Sequence, residues 1–131
     1  MWNGKKKAVT FSYDDGVTQD RRLVEMMNTY GVKGTFNLNS GMQSYANVWE
    51  HPKGLLIHRM NTEGLKELYQ GHEIAAHCLT HADLPQYDEG TIRNEILEDK
   101  KNLEERFGQP VVGMAYPFGT YNDTVVDIAR A

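Results

Sequence analysis

Four short apolar runs, each followed by a segment of helical periodicity, limit what this chain can fold into. Ala8 to Tyr13 reads as a buried strand in which Val9, Phe11 and Tyr13 alternate with Thr10 and Ser12. A helix follows from about Asp20 to Tyr30, with Leu23, Val24, Met27 and Tyr30 on one face and Gly31 as its stop. Gly34 to Leu38 is a second strand. Segment 39–59 is long and carries Gly41, Pro52 and Gly54, so it is either functional or folded into a small hairpin. Asn61 or Thr62 caps a helix running to Gln70, with Leu65, Leu68 and Tyr69 on its buried side, and Gly71 ends it. His72 to Ala76 is a third strand. Asp88 to Phe107 is the longest helix, striped by Ile92, Ile96, Leu103 and Phe107 and stopped by Gly108 and Pro110. Val111 to Tyr116 is a fourth strand, Pro117 to Gly119 a turn, and Asn122 opens a helix that runs to Ala131.

Such alternation implies a parallel sheet with right-handed crossovers. Polar clusters stand just after the first, third and fourth strands: Asp14-Asp15-Gly16, then His77 and His81, then Tyr116-Pro117-Phe118-Gly119. In barrels of β/α units the active site forms at that C-terminal rim. A closed eight-unit barrel takes about 250 residues, and this chain has 131. The expected fold is therefore α/β: a partial, open TIM-like barrel, a parallel sheet with outer helices, truncated on its C-terminal side. Residues 1–131 are expected to form a single, incomplete domain. An unclosed sheet leaves an exposed edge and apolar surface, so a homodimer covering that edge is an expected arrangement.

Composition removes some partners. The 18 acidic and 14 basic residues give a net charge of −4, which leaves no basic stripe for nucleic-acid phosphates. Lys5-Lys6-Lys7 is a short basic run beside the first strand and reads as a solvated terminus. A lone cysteine, Cys78, excludes an internal disulfide. No apolar run is long enough to span a membrane, and no signal core opens the chain, so the default expectation is a cytoplasmic protein.

The strand ends carry the chemistry. Adjacent carboxylates repel one another, and a strand end that presents two of them commonly serves a cation or a proton transfer. Asp-Asp-Gly is also ordinary turn chemistry. His77 and His81 have the spacing of a ligand pair, although two surface histidines would look the same. Their position on the same rim as Asp15 favours a metal bound by one Asp and two His, with open positions left for substrate. Neighbouring side chains diverge, so one aspartate can face the metal while the other faces the substrate for acid–base work. His51 and His58 read as surface residues of the long loop, and His72 as a residue satisfying a local hydrogen bond. Tyr45 and Trp49 either stack on a sugar ring or pin the loop to the body.

The three motifs, in this order and at these element positions, resemble the polysaccharide deacetylase family (NodB homology domain, carbohydrate esterase family 4). The resemblance covers nearly the whole chain and implies hydrolytic removal of acetyl groups from N-acetylated or O-acetylated carbohydrate. It implies that Asp14 is the general base, that Asp15, His77 and His81 bind a divalent metal, most often Zn2+, and that the Phe118 N–H holds the oxyanion. Tyr116, Pro117 and Trp49 are the expected substrate contacts. Three positions depart from the family pattern. Ala115 stands where an arginine usually orients the catalytic aspartate, Cys78 stands where Ser or Thr usually follows the first histidine, and no late histidine is present to protonate the leaving amine. Two other readings stand beside it: a catalytically weak, metal-containing sugar-binding module, motivated by the missing histidine and Ala115, and a hydrolase of another non-peptide C–N bond, since related barrels reuse this metal centre.

Overall fold

A computed structural model describes residues 2–131. Strands β1 (Ser12–Asp14), β2 (Thr35–Leu38) and β5 (Glu73–Ala76) form a parallel sheet in the order β1-β2-β5. Residues alternate between its two faces. Phe36, Leu38, Ile74 and Ala76 point toward the helices and are buried, at 0%, 0%, 1% and 3% exposure. On the opposite face polar groups satisfy one another. Thr35 Oγ1 donates to Glu73 Oε2 at 2.7 Å, and Asn37 Nδ2 donates to Ser12 Oγ at 2.8 Å.

Helices α1 (Asp20–Thr29), α2 (Leu65–Leu68) and α3 (Glu89–Phe107) contribute to the main core. Val24, Met27, Leu65, Leu103 and Phe107 meet Phe36 and Ile74 there. A second core, built from Leu84, Ile92, Ile96, Val125 and Ile128, lies between α3 and α4 (Asp123–Arg130). Local chemistry sets the helix ends. The Asp88 side chain accepts the Thr91 N–H at 2.7 Å, the Asn122 side chain accepts the Val125 N–H at 2.9 Å, and Gly108 closes α3 at φ 65°. Among the described residues, no helix is long and apolar enough to cross a membrane.

The long segment after β2 contains an antiparallel hairpin, β3 (Val48–Glu50) with β4 (Leu56–His58). It is tied to the turn after β1, where the Thr18 N–H donates to the His58 carbonyl and the Met60 N–H to the Gly16 carbonyl, both at 2.9 Å.

Four sequence expectations are corrected. The first strand is three residues long, and Val9, Phe11 and Tyr13 are 77%, 39% and 37% exposed. β1 is an edge strand, and no helix covers that row. The fourth strand shrinks to one parallel bridge, Met114 to Ala76, held by Ala76 N–H to Gly113 O at 3.0 Å and Ala115 N–H to Ala76 O at 2.9 Å. The ladder extends no further, since Val112 stands in solvent at 85% exposure and Pro110 has no N–H. The helix expected from Asn61 to Gln70 is the single turn Leu65–Leu68, because Gly64 is left-handed at φ 77° immediately before it. Tyr30 lies beyond the buried face of α1, at 80% exposure.

Two residues make the packing testable. Gly41, after β2, donates its N–H to the Leu79 carbonyl at 2.9 Å, and a Cβ there would sit 2.6 Å from that oxygen. Gly41→Ala should therefore push the loop after β5 away and cost about 1–3 kcal/mol; a thermal unfolding midpoint equal to wild type would refute this close approach. Asp20 is buried and accepts the Tyr69 hydroxyl at 2.6 Å. Burial pushes its carboxyl up to about 6, Tyr69 opposes the shift, and Asp15 and Asp14 add to it. The folded state thus holds this proton more tightly than the unfolded chain. Its stabilising contribution is full below the ordinary value of 3.8 and is lost as pH rises through about 6. In chelator-treated protein, urea midpoints of wild type should fall relative to Asp20→Asn across that window; parallel pH profiles for the two proteins would contradict the assignment.

Candidate metal centre

β1 ends at Asp14, and the chain turns at once. Asp15 and Gly16 are both left-handed, at φ 81° and 63°. This conformation costs an L-residue such as Asp15 on the order of 1–2 kcal/mol, and it separates the two carboxylates. The Asp15 N–H continues the ladder to the Asn37 carbonyl at 3.0 Å. Asp14 stays on the open sheet face, about half exposed, where its Oδ1 accepts from Asn37 Nδ2 at 2.9 Å. Asn37 thereby holds the aspartate that the side chain of Ala115 cannot reach as an arginine would.

Asp15 turns toward the loop after β5. Its Oδ1 lies 3.5 Å from His77 Nε2 and 3.3 Å from His81 Nε2. His77 is buried, and its Nδ1 lies 2.9 Å from the Ala115 carbonyl oxygen. A carbonyl can only accept, so Nδ1 carries a proton, and in the neutral, metal-binding form of the ring Nε2 presents its lone pair toward Asp15. Ala115 therefore serves through its main chain. Burial lowers the His81 pKa; Asp15 opposes this, while His77 and Arg59 reinforce it. A neutral imidazole is the form that ligates a metal.

The ligand atoms of Asp15, His77 and His81 all lie within 4.8 Å of one another. Tetrahedral bonds of roughly 2.0–2.1 Å separate neighbouring ligands by about 3.3 Å, which the two Asp15–His distances match. Two imidazole nitrogens and a carboxylate oxygen also suit zinc by donor type and leave at least one position open. The residues present fit a divalent cation.

A cavity of about 400 Å³ opens beside this cluster, lined by Asp15, Met42, Trp49, Arg59, Thr80, His81 and Phe118. Trp49, from β3, is one of the residues that line it. The Phe118 ring, 69% exposed, packs edge-on against His81 with centroids 4.6 Å apart, and Phe118 itself is left-handed at φ 60°. Tyr116 stacks on Tyr121 at 5.7 Å and Pro117 is buried; neither lines this cavity. Cys78 is fully buried, and burial, with Asp99 and Glu95 nearby, pushes its thiol up to about 12; it stands outside the cluster of Asp15, His77 and His81. His72 accepts the Gly34 N–H at 3.1 Å and meets Asn28 Oδ1 at 2.8 Å, the local role expected of it. His58 stacks on Tyr45 with centroids 3.9 Å apart, and His51 accepts the Lys53 N–H.

Several site residues escaped the sequence reading. Arg59 is 6% exposed, with Nη2 3.4 Å from Asp15 Oδ1 and its guanidinium 4.8 Å from the centre of the Trp49 ring. It ends a long irregular segment, and no periodicity marks it. Asn37 and Asn39 did leave a signal, as polar residues in and just after an apolar strand. Asn39 is fully buried and donates to the carbonyls of His77 and Cys78.

The profile of the polysaccharide deacetylase family matches residues 2–131. A peptidoglycan-N-acetylglucosamine deacetylase of Bacillus cereus is 30% identical over 123 residues, covering 91% of this chain and 39% of that protein. A chitin deacetylase of Pestalotiopsis sp is 27% identical over 112 residues, covering 85% of this chain and 34% of that protein. The solved structure of the Streptococcus pyogenes deacetylase PplD in complex with acetate superposes with a TM-score of 0.82 at 26% identity, over 97% of this chain and 53% of that one. The chain thus spans well under half the length of these two curated relatives and about half of that solved structure. With its Asp-Asp, His-x-x-x-His and Tyr-Pro-Phe-Gly strand ends on one rim of a parallel sheet, the chain belongs to the polysaccharide deacetylase family.

Proposed function

We propose that this site hydrolyses acetyl groups from N-acetylated or O-acetylated carbohydrate with a divalent metal, Zn2+ by preference. The convergence of Asp15, His77 and His81 within 4.8 Å, beside the half-exposed carboxylate of Asp14, carries the reading. Bound there, the cation would supply Lewis acidity that polarises the acetyl carbonyl. Asp14 takes a proton from the attacking water as its oxygen bonds to the carbonyl carbon. The Phe118 N–H donates to the oxyanion that develops. The bond from the acetyl carbon to the sugar nitrogen or oxygen then breaks, and Asp14 returns the proton to the leaving group. Acetate and the free amine or alcohol are the products. Trp49, at the cavity wall, offers an aromatic face to a sugar ring. The exposed row Val9, Phe11 and Tyr13 on the β1 edge supports a homodimer; a monomeric mass by light scattering at high protein concentration would refute it.

A second reading, a sugar-binding module with weak turnover, draws on the half-exposed Asp14 and on Ala115. Acetate release separates the two. Acetylated chitooligosaccharides should yield acetate in the presence of Zn2+, chelation should abolish release, and added Zn2+ should restore it. Asp14→Asn should lower the rate by roughly 10²–10⁴-fold while keeping metal affinity within a few-fold. Sugar binding with no acetate would favour the module, and turnover of small cyclic amides instead of acetylated sugars would favour a different C–N hydrolase.

A further inference from the structure

Two carboxylates interrupt the apolar stripe of α3. Glu95 and Asp99 stand one turn apart in line with Ile92, Ile96 and Leu103, and they are 7% and 0% exposed. A buried carboxylate is costly unless its oxygens are filled. Here the histidine-bearing loop and Ser40, just after β2, fill them. Asp99 Oδ2 accepts the His77 N–H at 2.9 Å, sharing it with the Leu38 carbonyl at 3.0 Å, and Oδ1 accepts the Ser40 N–H at 2.7 Å. Glu95 Oε2 accepts the Thr80 N–H at 2.9 Å, and Oε1 accepts the Thr80 hydroxyl at 2.7 Å. The main-chain carbonyl of Glu95 takes the Leu79 N–H at 3.0 Å.

These bonds grip the loop at both ends. His77 is itself a ligand of the cluster, and Thr80 immediately precedes the other ligand, His81. The span between is strained, with Cys78 and His81 left-handed at φ 68° and 56°. A non-glycine residue keeps that conformation only where its surroundings over-determine it.

We infer that Glu95 and Asp99 are positioning residues: a clamp on α3 that holds the His77–His81 loop in metal-ready geometry before any ion arrives. The inference rests on the metal-site reading proposed above. The clamp acts through main-chain N–H groups and the Thr80 hydroxyl; elsewhere, losing an outer partner that hydrogen-bonds a ligand's own side chain costs about 10–100-fold in affinity.

The test is a zinc titration of the 131-residue chain by competition calorimetry, with the metal-free unfolding midpoint recorded for each protein. Glu95→Gln and Asp99→Asn keep shape but replace an accepting oxygen with a donor. Each should weaken zinc binding about 10–100-fold below its unfolding midpoint. Glu98→Gln, on the same helix without a bond to the loop, removes the same charge and should leave affinity unchanged. Folded variants that bind zinc as tightly as wild type would overturn the clamp, as would equal weakening in Glu98→Gln. Wild type that binds no zinc would instead overturn the metal-site reading. If the variants do not fold, or wild type takes no metal, amide hydrogen exchange in the metal-free wild type decides. The Ser40 and Thr80 amides should be protected although they lie outside helix and strand, and exchange at the rate of exposed loops would refute the clamp.

Discussion

The parallel register of β2 with its two neighbours is the constraint on which the site depends. Asp14 pairs with Asn37, and Leu38 pairs with Ala76. One further ladder step on each side joins the Asp15 N–H to the Asn37 carbonyl and the His77 N–H to the Leu38 carbonyl, both at 3.0 Å. Residues 62 positions apart in the chain are thus delivered to one rim by main-chain hydrogen bonds alone. A slip of one residue along β2 would turn Asn37 toward the helices and Phe36 toward the polar face, so the apolar burial that stabilises the sheet also sets the site.

Strain and buried charge collect at that rim and are compensated locally. Asp15, Cys78, His81 and Phe118 are all left-handed without being glycine. The loop that carries Cys78 and His81 is held by groups whose own polarity needs satisfaction. Asn39 fills the carbonyls of His77 and Cys78, Glu95 and Asp99 take the N–H groups, and the Ala115 carbonyl sets the tautomer of His77. Arg59 brings a cation against Asp15, and its Nε is buried without a partner. The rim is consequently rich in polar side chains that neither pack an ordinary core nor face open water.

Much of this was legible in the residue order. Alternation of strand and helix, the stops at Gly31 and Gly108, and the caps Asp88 and Asn122 follow from local chemistry, and the structure keeps them. The errors concern partners that local chemistry cannot specify. Val9 and Phe11 alternate like a buried strand, yet an edge leaves them in water. Val111 to Tyr116 has strand composition, but only Met114 forms a bridge. Asn37, Asn39, Glu95 and Asp99 were visible as polar residues in apolar patterns, although nothing in the sequence says which donors or acceptors they meet.

By itself the sequence determined the reactive inventory: two adjacent carboxylates, a His-x-x-x-His pair, and strand ends to carry them. Periodicity and capping are local, so they survive folding. Only the tertiary structure decided which carboxylate faces the histidines, that Asn37 rather than an arginine holds Asp14, and that α3 braces the loop. Those outcomes depend on the left-handed turn at Asp15 and on hydrogen bonds between residues 22 to 59 positions apart, which the one-dimensional order of the chain does not record.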